Sequence, residues 1–142
     1  MPEDTQGKID VEVNLPHARQ KVWRALTEPG LMADWLMRND FTPEVGHRFS
    51  LRGAPTPHWN GVVECELLAL EAEARLQFSW RTSGQGAIDT IVTVTLASNE
   101  RGTRLIVEQA GFAVEAENLM QGARYGWGRF LAKLEQLLAR LS

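Results

Sequence analysis

Between Glu115 and Leu141 the apolar residues recur at helical spacing. At about 100° per residue, Ala116, Leu119, Met120, Ala123, Trp127, Phe130, Leu131, Leu134, Leu137, Leu138 and Leu141 share an arc of about 120°. A long helix with one apolar face has to bury it, each large side chain contributing roughly 1.5–3 kcal/mol when removed from water. The rest of the chain must therefore supply a broad apolar surface.

The first half of that helix is thinned by Gly122, Gly126 and Gly128 inside GARYGWGRF, whereas the second half is leucine-rich. Glycine in a helix interior costs roughly 1 kcal/mol relative to alanine, so the cluster needs a compensating use. Gly122 and Gly126 lie four apart beside the apolar arc and, with Ala123, leave a shallow patch edged by Trp127. Two uses are open: close backbone packing, or an unfilled space between the helix and its partner surface.

Upstream, KIDVEVNL alternates Ile9, Val11, Val13 and Leu15 with polar residues and reads as a half-buried strand, after a lead over residues 1–7 expected to be flexible. Pro16 ends the strand and fits the first turn of a helix with Val22, Ala25 and Leu26 inward. Glu28-Pro29 interrupts that helix, and a second short one follows with Leu31, Trp35 and Leu36 inward. From Phe41 on the period is two. Phe49 and Leu51 share one face, as do Trp59, Gly61, Val63, Cys65 and Leu67 in the next run. Leu76, Phe78 and Trp80 follow, then Ile88, Thr90, Val92, Val94 and Leu96, then Leu105 and Val107, with Gln109 inward near the strand end. Turn-forming stretches such as SGQG and NERGT separate the runs. Sequential strands joined by tight turns pair antiparallel and leave one apolar face, the surface that the last helix requires. The fold class is α+β: an antiparallel sheet of about six strands, two short helices after the first strand and a long C-terminal helix, in one domain over residues 1–142.

The segments VWRALTEPGLMADWL, FTPEVGHRF, GVVECELLALEAEARLQFSWR and GTRLIVEQAGF, with the late pair Gly126-Trp127, occur in an order that spans nearly the whole chain. They resemble the domain related to the C-terminal part of the activator of heat-shock protein 90 ATPase, within the START-like (polyketide cyclase and lipid-transfer) superfamily. The resemblance implies a helix-grip fold, a curved sheet wrapped around the C-terminal helix with a cavity between them. That superfamily hosts carriers, receptors, cyclases and co-chaperone domains on one scaffold, so it implies no single function. One turn departs from the family pattern, reading Gly46-His47 where the family carries two glycines.

Net charge is −3 and no basic run occurs, which argues against nucleic acid or an anionic membrane as partner. No apolar run approaches membrane-spanning length, and MPEDTQGKID lacks a secretion-signal pattern, so a cytoplasmic location is expected. The lone Cys65 cannot form an intramolecular disulfide, in keeping with a reducing compartment. His17, His47 and His58 sit in three separate segments without metal-ligand spacing and read as surface histidines, and neither metal nor cofactor is expected. Cys65, on the inward face of a strand, reads as a small hydrophobe of raised pKa rather than a nucleophile. Glu64, Glu66 and Asp89 alternate outward as solubilising charges. No catalytic residue is assigned.

The aromatic residues carry more information. Trp35, Phe49, Trp59, Phe78, Trp80, Trp127 and Phe130 come from several elements and face one interior. The candidate ligand-binding set is Trp35, Phe49, Trp59, Phe78, Trp80, Thr90, Gln109, Ala123 and Trp127, a mostly apolar pocket with two polar handles. Gln109 either orients a ligand or satisfies backbone groups. Trp23 and Tyr125 fall off the inward faces and are expected to be exposed or to meet a partner. Three functions are open: a non-catalytic module binding a small hydrophobic or amphipathic molecule, a cyclase- or hydrolase-like enzyme using the same cavity, and a co-chaperone-like protein-interaction domain or homodimer.

Overall fold

The computed structural model describes residues 6–57, 59–84, 87–113 and 116–141. The expectations placed on residues 1–5, His58, Gln85, Gly86 and Glu115 lie outside them. The elements in order are β1 (Gln6–Leu15), α1 (Arg19–Thr27), α2 (Pro29–Trp35), β2 (Arg38–Asn39), β3 (Arg48–Arg52), β4 (Val62–Glu71), β5 (Arg75–Arg81), β6 (Asp89–Asn99), β7 (Gly102–Ala113) and α3 (Glu117–Arg140). The seven strands form one antiparallel sheet in the order β1-β7-β6-β5-β4-β3-β2. β2 to β7 make a meander, and β1 closes the far edge by pairing with β7. The α1-α2 arm carries the chain from one edge to the other. This is the α+β helix-grip arrangement, with one strand more than the alternation reveals, because β2 is only two residues long.

Some local expectations shift. Gln6 and Gly7, expected in the flexible lead, begin β1 in register with Ala113 and Phe112. Pro16 lies in a bend closed by the bond from His17 N–H to the Leu15 carbonyl (2.8 Å), and α1 starts only at Arg19. Pro29 does open α2, at the position where a missing N–H is harmless. The two short helices are pinned together by Trp35, whose Nε1–H donates to the Ala25 carbonyl at 2.8 Å. Trp35 thereby serves the arm. Trp23, expected to be exposed or to meet a partner, is half-buried and packs against the core.

Most inward positions of the strands are buried as their alternation requires, with Val11, Val13, Trp59 and Ile88 half-buried, and α3 covers the sheet with Met120, Trp127, Leu131, Leu134, Leu137 and Leu138. Leu119 is an exception on the helix arc, 38% exposed. The alternation in β7 also breaks phase: Thr103, Leu105, Val107 and Gln109 are buried, then Phe112. Gly111, at φ +114°, is the extra residue of a bulge, and the β1 register steps from Gly7↔Phe112 to Lys8↔Ala110 across it. The bulge returns Phe112 to the inner face. A Cβ at Gly111 would stand 3.0 Å from the Asp89 carbonyl oxygen and 3.2 Å from Thr90 Cα.

The outer face carries cross-strand ion pairs, among them Arg104–Glu12 with contacts of 2.7 and 3.0 Å and Arg81–Asp89 at 3.2 Å. These are solvent-exposed and add little stability. Gly111→Ala should therefore cost more than removing any of them. The expectation is a loss of about 1–3 kcal/mol in urea unfolding, from positive-φ strain together with the clash against β6. A loss below about 0.5 kcal/mol would mean that the bulge is not specified by this glycine.

Candidate functional site

The first half of α3 does not seal against the sheet. A cleft of about 460 Å³ opens between it and the concave ends of β4 and β5, with the strand and turn segments around Trp59 and Ile88 as its sides. The helix contributes Asn118, Leu119, Gly122, Ala123, Gly126, Trp127 and Phe130, a single stripe at helical spacing. A Cβ built on Gly122 or Gly126 would meet nothing within 4 Å, so these glycines do not serve close backbone packing. Of the two uses left open by the sequence, the unfilled space is the one observed. It also explains Leu119, which stands at the cleft mouth rather than in the core.

The sheet side supplies Val63, Trp80 and Gln109, and the rim supplies Met37, Trp59, Thr82, Ser83 and Ile88. Trp59 is held by its own Nε1–H, which donates to the Val62 carbonyl at 3.1 Å. The floor ends a run of aromatic contacts through the core. Phe41, Phe49, Phe78, Trp80, Trp127 and Phe130 follow one another with ring centroids 5.1 to 6.3 Å apart, and the last three border the cleft.

Beneath the floor runs a directed hydrogen-bond chain. Trp127 Nε1–H donates to Gln109 Oε1 (2.8 Å), Gln109 Nε2–H to Thr90 Oγ1 (2.9 Å), and the Thr90 hydroxyl to the Trp80 carbonyl (3.0 Å). Its direction is fixed by chemistry. An indole can only donate, so the facing amide atom is oxygen, and the amide nitrogen is then turned towards Thr90. The Gln109 side chain thus bonds Trp127 and Thr90 and couples α3 to β6.

Of the residues expected to bind ligand, Trp59, Trp80, Gln109, Ala123 and Trp127 border the cleft. Phe49 and Phe78 are core members of the aromatic run, Thr90 lies behind Gln109, and Trp35 is committed to α1. Sequence reading missed the rim residues Met37, Thr82, Ser83 and Asn118, which no periodicity marks, and took Val63, Ile88, Leu119 and Phe130 as ordinary apolar positions.

Among the described residues, no Asp, Glu, Lys, Arg, His or Cys borders the cleft. Cys65 is buried elsewhere in the sheet, and burial pushes its thiol up to about 12. Half-burial followed by the nearby Lys21 lowers the pKa of His17. Among the described residues, no group of three His, Cys, Asp or Glu side chains is placed to hold a metal ion. None of the helices described is long and apolar enough to cross a membrane.

The sequence profile of the family described as Activator of Hsp90 ATPase homolog 1-like protein matches residues 16–139. The chain belongs to that family. No curated protein matches it. The solved structure of protein MLL2253 from Mesorhizobium loti is 41% identical to it, with a TM-score of 0.88 over 96% of this chain and 99% of that one. Bacillus halodurans protein BH1534 is 25% identical at a TM-score of 0.76, covering 95% and 99% of the two chains. CalU16 from Micromonospora echinospora, 23% identical over 94% of this chain and 76% of that one, shares the fold at a TM-score of 0.76. Family and fold are those of the START-like, polyketide cyclase superfamily, whose architecture is of the ligand-binding kind in general.

Two outcomes follow for the site. Gln109→Leu strands the Trp127 N–H and should cost about 1–3 kcal/mol in urea unfolding; a change below about 0.5 kcal/mol would mean that the chain does not position α3. Because the folded thiol holds its proton until pH approaches 12, Cys65 at pH 8 should react with iodoacetamide only as the protein unfolds. Alkylation of the native protein at the rate of a free thiol would contradict its burial.

Proposed function

We propose that the protein binds a small hydrophobic or amphipathic molecule in the cleft between α3 and the sheet, without turning it over. The observation that carries this reading is the cleft itself, kept open by glycines that weaken the helix they sit in. Its volume of about 460 Å³ suits one ligand of drug-like size. Its walls are indole, phenyl and aliphatic surface, with Thr82, Ser83 and Asn118 at the rim. Turnover in the same cleft has less support, since the described residues of its lining offer no acid, base or activated nucleophile to move a proton. An interaction with another protein has the exposed Tyr125 in its favour, but Arg129 already stands over that ring at 5.8 Å.

A thermal-shift panel of fatty acids, sterols, flavonoids and polyketide-like aromatics tests the reading. A ligand at about a hundred times its dissociation constant adds roughly 2.7 kcal/mol, several degrees in Tm for a chain of this size. Gly126→Leu is the matched control. It removes the helix penalty of glycine, raising the stability of the free protein by up to about 1 kcal/mol, and pushes a side chain into the open space, so the ligand shift should be lost. A variant that still binds as tightly as the wild type would place the ligand elsewhere and remove the proposal.

A further inference from the structure

Apart from the exposed amide of Asn118, the side-chain nitrogens of the described cleft lining differ in their partners. Trp59 donates to the Val62 carbonyl, Trp127 to Gln109, and Gln109 to Thr90. Trp80 is only 8% exposed, and its Nε1–H has no partner among the described residues. Nor is that nitrogen sealed away, because no fully buried side-chain nitrogen or oxygen among the described residues lacks a partner. It therefore keeps contact with open space, and the cleft is the space that the Trp80 side chain borders. A donor in apolar surroundings is costly while unmatched and strong when matched.

The charge pattern of the same walls narrows what can match it. With no ionisable side chain among the described residues of the lining, an ionised group brought to the floor would lose its hydration and meet no counter-charge from them. The floor rings, Trp80, Trp127 and Phe130, present tilted faces and edges at centroid spacings of 5.5 and 5.6 Å, which favours a flat ring over a flexible chain. The hydroxyl oxygens of the rim already accept bonds, Thr82 from Ile88 N–H and Ser83 from Asn60 Nδ2.

Building on the reading of the cleft as a ligand site, we infer that its ligand is an uncharged, ring-bearing molecule whose carbonyl or ether oxygen accepts a hydrogen bond from Trp80 Nε1. Trp80 is then the residue that selects for an acceptor, and the absence of charge among the described lining residues selects against acids. Trp127 cannot take this role, because its donor is committed to Gln109.

Three probes of one skeleton test this: 2-acetylnaphthalene as the neutral acceptor, 2-ethylnaphthalene as the hydrocarbon and 2-naphthoate as the anion. The chain holds five tryptophans, so nitrogen-15 spectra read few indole signals, and Trp80→Phe identifies that of Trp80. The signal should move on adding the ketone and far less on adding the hydrocarbon. Trp80→Phe keeps an aromatic ring in the stack, and it should lower the ketone-to-hydrocarbon affinity ratio about three- to tenfold. Naphthoate should bind at least about tenfold more weakly than the ketone. An unmoved Trp80 signal with an unchanged ratio would overturn the role of Trp80, and naphthoate binding as tightly as the ketone would overturn the selection against charge. In both cases the probes still bind and the cleft reading stands, whereas binding of none of the three would overturn both together. Should Trp80→Phe fail to fold, single substitutions at the other tryptophans identify the Trp80 signal by elimination, and its response to ketone and hydrocarbon in the wild type decides.

Discussion

A buried indole has to place its N–H against an acceptor, and the pairing of Trp127 with Gln109 settles how the long helix sits on the sheet. Apolar burial holds α3 down but is non-directional, so many rotations of the helix would bury a similar area. The hydrogen bond selects one of them. Through Gln109 and Thr90 it also fixes α3 to β6 and to the Trp80 carbonyl on β5, so that two indole rings meet at 5.5 Å as the floor of the cleft. Removing Gln109 would leave the fold with its apolar driving force and without its setting.

Stability is unevenly spread along that helix. From Leu131 onward, leucines are buried on its inner side in every turn. Towards the N-terminus the glycines add nothing to the core, Leu119 reaches the mouth, and the helix begins without a side-chain cap. The leucine-rich half therefore anchors the element, and the glycine half depends on it. An open cleft is affordable only because the closed half of the same helix is so well packed.

Periodicity made most of this legible. An amphipathic stretch of α3's length and strands that alternate over whole runs leave few architectures, and α3, β1 and β3 to β7 follow from residues alone. β2 did not, since two residues have no period, and the extra residue at Gly111 was hidden because a bulge is defined by the partner strand. The site was legible only in outline. That aromatics converge can be read from strand faces, but whether Trp35 faces the cleft or ties α2 to α1 depends on an acceptor ten residues away in sequence. Gln109 illustrates the same limit: its inward position was evident, but its partner lay on a helix whose rotation the sequence leaves free.

The absence of charge among the described residues of the cleft has the same origin as the legibility of the sheet. Strict alternation sends Glu64, Glu66, Asp89, Arg81 and Arg104 to the outer face, where they pair or meet water, and leaves the concave face to apolar residues and to Thr90, Thr103 and Gln109. Thr90 and Gln109 are spent on one another and on Trp80 and Trp127, and the Thr103 hydroxyl donates to the His17 carbonyl. What remains to discriminate between ligands is the shape set by two glycines and the rings, together with the few dipoles that the fold leaves unmatched. A sheet that sorts its charges this way leaves the described walls of the cleft to apolar surface and a few dipoles, the feature on which the proposed recognition of a neutral molecule rests.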